Sequence, residues 1–116
     1  EKKEMSTSTD LMHYIRKGME DVTAPGGTAA FLANDRYKIA AKTGTAQVFG
    51  LKGGEYIEDD LPDHLKDHAL LIAYAPANRP QLVIAVVVEH GGSGGTTAGP
   101  IAKKVFDYYL KNYNND

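Results

Sequence analysis

The 116-residue chain carries 13 basic and 15 acidic side chains, which give a net charge of −2. It therefore lacks the excess of positive charge that is typical of a protein that binds nucleic acid or an anionic membrane. It contains no cysteine, which excludes disulfide bonds, cysteine-ligated zinc and a cysteine nucleophile. With 42% hydrophobic and 24% charged residues, the composition is that of a globular domain or part of one.

The first predicted element is an amphipathic helix. Apolar residues recur at helical spacing from Leu11 to Val22, and the sequence Pro25-Gly26-Gly27 ends the pattern. Three polar residues just before the pattern are candidates for the N-cap: Ser8, Thr9 and Asp10.

Three strands are predicted next, over residues 37–48, 69–75 and 82–88, with the last two forming a hairpin. The near-continuous apolar run from Val83 to Val88 favours burial on both faces. Residues 50–66 are predicted to form a loop. The acidic stretch from Glu55 to Asp67, which overlaps this loop, is predicted to be solvated and to border the cleft beside the first strand.

Glycines at positions 91, 92, 94 and 95 predict a flexible turn, and Pro100 suits the first turn of a final helix whose apolar residues continue to Tyr113. The order of elements predicts an α+β fold. In it, an antiparallel sheet carries the N- and C-terminal helices on one face.

The candidate functional residues of the chain are Lys42-Thr43-Gly44-Thr45, inside the first predicted strand. Strand alternation places the Thr43 and Thr45 hydroxyls on one side, about 6 to 7 Å apart, a spacing that suits binding of a carboxylate. Gly44 lets a substrate backbone approach, and Lys42 supplies a positive charge. At an exposed edge, the Thr45 backbone N–H is available to stabilise an oxyanion.

Lys42-Thr43-Gly44-Thr45-Ala46-Gln47 resembles the third motif of serine penicillin-binding proteins. Further matches to class B members of that family lie in order along residues 11–110. They are Gly18-Met19 with Val22, Gly27-Thr28-Ala29, Asp67-His68-Ala69, Tyr74-Ala75-Pro76, Glu89 with the glycines after it, and Ala98-Gly99-Pro100. Val48-Phe49-Gly50 favours the penicillin-binding protein 2 group. Ala41 departs from the glycine that many members carry before the lysine.

The resemblance implies a peptidoglycan D,D-transpeptidase that is also a target of β-lactams. Lys42 would assist proton transfer near the serine of the second motif. Thr43 and Thr45 would bind the terminal carboxylate of a D-Ala-D-Ala stem peptide or of a β-lactam, and the Thr45 amide would form half of the oxyanion hole. The resemblance implies no cofactor and no metal. It also implies a single-pass parent protein on the periplasmic face of the bacterial cytoplasmic membrane, with cell-wall elongation proteins as possible partners.

The serine nucleophile of that family has no counterpart in this sequence. The three serines are Ser6, Ser8 and Ser93, and none begins an S-x-x-K or S-x-N motif. Residues 1–116 are therefore expected to be the C-terminal portion of a transpeptidase domain, to need the missing N-terminal part of that domain, and to be inactive alone.

Three alternatives remain at this stage: a β-lactam sensor, a serine β-lactamase of the same fold, and a non-catalytic binding module. His64 and His68 have the spacing of metal ligands on a helix, but a solvated loop end with His68 beginning a strand is the favoured interpretation. The glycines at positions 91–95 are interpreted as a turn rather than as an anion-binding loop.

Overall fold

A computed structural model describes residues 8–48 and 61–112. Its principal elements, in chain order, are helix α1 (Thr9–Asp21), strands β1 (Ala40–Ala46), β2 (His68–Ala75) and β3 (Leu82–Val88), and helix α2 (Gly99–Tyr109). The α+β class and the antiparallel sheet are confirmed. Residues 49–60, which include most of the predicted loop 50–66, lie outside the described residues, as does Tyr113.

Helix α1 begins where the sequence offers a cap. Ser8 has extended backbone geometry, and its hydroxyl accepts a hydrogen bond from the Leu11 N–H at 3.3 Å, which satisfies one of the unpaired donors of the first turn. No residue of α1 is buried. Its apolar stripe is therefore only partly covered by the rest of the described chain.

The three strands form one antiparallel sheet in the order β1-β2-β3. Lys42 pairs with Ile72 and Thr45 with Ala69, while Leu71 pairs with Val86 across the hairpin. Strand β1 is shorter than predicted because backbone groups before it bond elsewhere. The Thr23 hydroxyl donates to the Ile39 carbonyl at 2.7 Å.

The core lies on one face of the sheet, against α2. The residues of that face and of the elements covering it include Leu32, Ile39, Ala41, Ala69, Leu71, Ala73, Ala75, Ala98, Ala102, Phe106 and Leu110, all buried. Phe106 and Ala102 of α2 are fully buried there, one helical turn apart, as the predicted apolar stripe requires.

The opposite face of the sheet is largely uncovered in the described chain. Val83 and Val87 are 73% and 64% exposed, because they alternate along β3 with residues that face the core. The predicted burial of β3 on both faces therefore does not hold within the described residues. Ile72, on the same face, is 52% exposed.

The two helices do not share a face, and in this detail the structure departs from the predicted arrangement. Met12, Ile15 and Met19 of α1 line a groove with Tyr74 and Val83, whose side chains lie on the face opposite the core. The connection between α1 and β1, residues 22–39, leads from the groove on one face of the sheet to the core on the other. It contributes Leu32 and Ile39 to that core.

The connection is tied to α2 through Tyr37. This buried residue donates its phenolic hydrogen to Asp107 Oδ1 at 3.2 Å. Burial, and then the Asp107 charge, raise the pKa of Tyr37 to about 12. Arg36 also reaches α2's end, donating to the Lys111 carbonyl at 2.9 Å, so the segment before β1 and the C-terminal helix form one unit.

The glycine-rich turn is more ordered in form than predicted. Gly94–Ala98 forms one turn of π-helix that leads directly into α2, and Gly94, Gly95 and Ala98 are all buried. Within residues 8–48 and 61–112, no helix is long and apolar enough to cross a membrane.

Candidate active site

The Lys42-Thr43-Gly44-Thr45 motif forms the middle of β1, between Ala41 and Ala46, at the edge of the sheet. Strand β1 pairs with β2 on one side, and in the part of the chain that the structure describes no strand pairs with its other side. The small residues Ala40 and Ala41 begin the strand and are fully buried. The motif thus emerges from the core onto an open edge.

The methyl group of Ala41, the residue expected from the sequence to depart from the family's motif, fits within the regular register of the sheet. Ala41 pairs with Ala73, and both side chains are buried in the core. The partner's small side chain leaves room for the methyl group, so this departure does not displace the motif.

Alternation along β1 separates the motif into two pairs. Thr43 and Thr45 lie on the side of Leu71 and Ala69, whereas Lys42 and Gly44 lie on the other. Thr45 is exposed and Thr43 half-buried, so both hydroxyls lie at or near the surface. This is the arrangement the sequence predicts, and it can present two donors to one anionic group.

Lys42 is exposed, and its ammonium group donates to the Thr43 carbonyl at 2.5 Å. The cation thus stays beside the motif rather than forming an ion pair with a carboxylate among the described residues. Such a charge is available to attract an anion or to stabilise a proton-transfer network.

Thr28, in the turn between α1 and β1, reaches the motif. Its hydroxyl lies 3.1 Å from the Thr43 hydroxyl, and either can donate. Thr28 is part of the Gly27-Thr28-Ala29 match in the sequence, but nothing in its local pattern indicates this contact, which spans 15 positions.

Gly94 lies directly behind the motif. A Cβ added to Gly94 would lie 2.3 Å from the Leu70 carbonyl oxygen and 2.5 Å from that of Gly44. Gly44 and Leu70 are partners in the sheet, at positions where alternation directs side chains away from the core. The backbone of Gly44, between Thr43 and Thr45, is therefore in direct contact with the backbone of Gly94. A run of glycines is the only sequence signal for this packing.

The chain just beyond the motif is held by the beginning of β2. Asp67 Oδ1 accepts a hydrogen bond from the Val48 N–H at 3.4 Å. Asp67 is only 5% exposed, so the prediction that it belongs to a solvated acidic stretch is wrong. A buried carboxylate serves here as an acceptor for backbone, a use that composition does not reveal.

His68 begins β2, as predicted, and its ring contacts that of His90 with centroids 4.7 Å apart and planes tilted by 60°. His68 Nδ1 accepts the His90 backbone N–H at 2.9 Å. His64 lies in a separate exposed turn, Asp63–Leu65. Among the residues with described positions, no group of three or more histidines and acidic residues is placed to hold a metal ion.

A depression of about 280 Å³ extends from Lys42, Thr43 and Gly44 across β2 to β3. Leu70, Ile72 and Val87 line it, so it opens on the uncovered face of the sheet. A larger one, of about 470 Å³, is lined by residues of the connection before β1 and lies apart from the motif.

Comparison with known proteins gives consistent results. The penicillin binding protein transpeptidase domain family matches residues 1–107. The peptidoglycan D,D-transpeptidase MrdA of Haemophilus influenzae is 48% identical over 99 residues, which are 82% of this chain and 15% of that protein. The chain therefore spans a small part of the length of this curated relative.

Two solved structures show the same fold. Pseudomonas aeruginosa PBP2, in complex with WCK 5153, superposes with a TM-score of 0.73 at 36% identity, covering 94% of this chain and 22% of that one. PBP2 of Helicobacter pylori, in its complex with MreC, gives a TM-score of 0.70 at 29% identity, covering 90% of this chain and 18% of that one.

Proposed function

Because the chain belongs to the transpeptidase domain family of penicillin-binding proteins, we propose that residues 1–116 are the C-terminal portion of a peptidoglycan D,D-transpeptidase domain. In this proposal they supply the wall of the active site that binds substrate. The observation that carries the proposal is the placement of Lys42-Thr43-Gly44-Thr45 on an open sheet edge, with Thr43 and Thr45 on the same side.

The threonines bind the terminal carboxylate of a D-Ala-D-Ala stem peptide, or the carboxylate of a β-lactam. Each hydroxyl can donate one hydrogen bond to an anion, and such charge-assisted bonds are worth roughly 1.5–3 kcal/mol. The bare backbone of Gly44, between them, is the part of the strand proposed to lie against the substrate.

In the reaction of the intact enzyme, a serine outside this chain attacks the carbonyl of the penultimate D-Ala. The C–N bond to the last residue breaks, D-Ala leaves, and the acyl group passes to an amine of a neighbouring strand. The backbone N–H of Thr45 donates to the oxyanion, a contribution of about 3 kcal/mol for one such donor. Lys42 stabilises the proton transfers that accompany both steps.

The uncovered face of the sheet supports the proposal that further chain completes the domain. Val83, Val87 and Ile72 form an apolar surface of the kind that a domain buries. None of the three serines of this chain lies in a nucleophile motif. We therefore assign both the missing cover and the missing serine to the N-terminal part of the same domain.

The parent protein is proposed to act at the periplasmic face of the cytoplasmic membrane, held there by a single-pass anchor outside this chain. Its substrate, the peptidoglycan stem peptide, is outside the cytoplasm. The complex of H. pylori PBP2 with MreC supports cell-wall elongation proteins as partners of the parent protein. No nucleic acid, cofactor or metal has a part in the proposed reaction.

Labelling with a fluorescent penicillin tests the proposal. The 116-residue chain alone should form no adduct that survives denaturation, and supplying the upstream part of the domain should restore covalent labelling that unlabelled penicillin blocks. Slow loss of the adduct agrees with a transpeptidase. Rapid hydrolysis would instead identify a β-lactamase, and labelling of the isolated chain would refute the assignment of the nucleophile.

The carboxylate role has its own test in the completed domain. Thr43→Val keeps the shape of the side chain and removes the hydroxyl, and it should slow acylation by about 10- to 100-fold. Thr9→Val, at an exposed position in the first turn of α1, is the matched control and should have no effect. Equal rates for the two variants would contradict the assignment.

A further inference from the structure

We propose that Thr28 is a positioning residue for the carboxylate-binding hydroxyl of Thr43, an inference that rests on the proposed function. Thr28 lies outside the motif, in the turn after α1, and its side chain is exposed. Its Oγ1 is 3.1 Å from Thr43 Oγ1, a normal distance for a hydrogen bond between two hydroxyls.

The backbone of Thr28 is held in place from two directions. Gly95 packs against its carbonyl oxygen, so closely that an added Cβ would lie 2.5 Å away. The next residue, Ala29, is fully buried and donates its N–H to the Val22 carbonyl at 3.0 Å. An exposed hydroxyl on such a constrained backbone has a defined position, unlike that of a threonine on a free loop.

The same glycine turn holds the motif strand. Gly94 packs on the backbone of Gly44, while the adjacent Gly95 packs on that of Thr28. The turn thus sets the separation between the loop that carries Thr28 and the strand that carries Thr43. The pairing of their hydroxyls follows from this arrangement.

When an anion binds to Thr43, the hydrogen bond between the two hydroxyls has a defined donor and a defined acceptor. A threonine hydroxyl has one proton and two lone pairs. When Thr43 turns its proton to a carboxylate, its oxygen remains able to accept, and Thr28 is in position to donate to it. Hydrogen bonds in such a chain polarise one another, so Thr28 strengthens the Thr43 donor toward a charged ligand.

The test uses the completed transpeptidase domain and two acylating agents, penicillin G and its methyl ester, which lacks the negative charge. Thr28→Val should lower the acylation rate with penicillin G by about 3- to 10-fold, the effect of losing one ordinary hydrogen bond. The rate with the ester should change less than twofold. Thr28→Ser keeps the hydroxyl and should retain the wild-type ratio between the two agents.

A double variant separates positioning from general structural support. In the Thr43→Val background, Thr28→Val should have no further effect on penicillin acylation, because the hydroxyl it orients is already gone. Equal losses with both agents, or additive losses in the double variant, would overturn the inference. If penicillin does not label the wild-type domain, the proposed function itself is refuted. If penicillin labels the domain but Thr28→Val leaves the acylation rate unchanged, this inference alone is refuted.

Discussion

Replacing Gly94 with alanine should destabilise the sheet at the motif. The added methyl carbon would lie 2.3 Å from the Leu70 carbonyl oxygen, 2.5 Å from the Gly44 carbonyl oxygen and 3.1 Å from the Gly44 nitrogen. All three are backbone atoms of paired strands, so no side-chain rotation relieves the clash. The turn or the β1–β2 pair must shift.

Two terms set the size of the effect. Overpacking of a well-packed interior costs about 1–3 kcal/mol. Alanine in place of glycine within a helical turn gains up to about 1 kcal/mol through backbone entropy. The steric term is the larger because the contacts are far inside van der Waals distance, and the expected net loss is about 1–2 kcal/mol.

Gly18→Ala is the matched control. Gly18 lies inside α1, and an added Cβ would meet nothing within 4 Å. That substitution should therefore stabilise the protein by about 0.5–1 kcal/mol. Urea unfolding of the completed domain measures both variants. A Gly94→Ala variant as stable as the wild type, alongside a stabilised Gly18→Ala variant, would refute the packing argument.

Two further predictions concern the connection before β1. The pKa of Tyr37 is raised to about 12 in the folded state, so its contribution to stability is complete below pH 10 and is lost toward pH 12, at roughly 1.4 kcal/mol per pH unit. The free energy of unfolding, measured from pH 9 to 12, should therefore fall less steeply for Tyr37→Phe than for the wild type. An equally steep fall would contradict this. Thr23→Val removes the 2.7 Å bond to the Ile39 carbonyl and should cost about 1–2 kcal/mol in urea unfolding, while Thr9→Val should cost little.

The sequence predicts well wherever a local pattern decides the structure. The strands β2 and β3 match their apolar runs nearly residue for residue, since a short loop between two such runs favours a hairpin. The common side of Thr43 and Thr45 follows from strand alternation alone. Strand β1 is overestimated because residues 37–39 look like strand but give their carbonyls to other partners, Lys38 to the Ala77 N–H and Ile39 to Thr23.

What the sequence does not predict depends on contacts between distant segments. The buried Asp67 carboxylate bonds to the Val48 N–H, and Gly94 packs on Gly44, so both features depend on residues far apart in the sequence. The contact of Thr28 with Thr43 has the same origin. The placement of α1 away from the core is also missed, because a helical stripe shows that a helix has an apolar side but not which sheet face receives it.

The sheet face that the described residues leave uncovered has a practical consequence for handling this chain in solution. Val83 and Val87 give the chain an apolar surface, and the edge of β1 that pairs with no strand among residues 8–48 and 61–112 offers backbone groups for strand pairing. This combination promotes aggregation. Threonine at positions 83 and 87 would keep the β-branched shape that suits a strand and make this surface polar. Because neither side chain faces the core, solubility can be improved on this face without touching the packing that supports the motif.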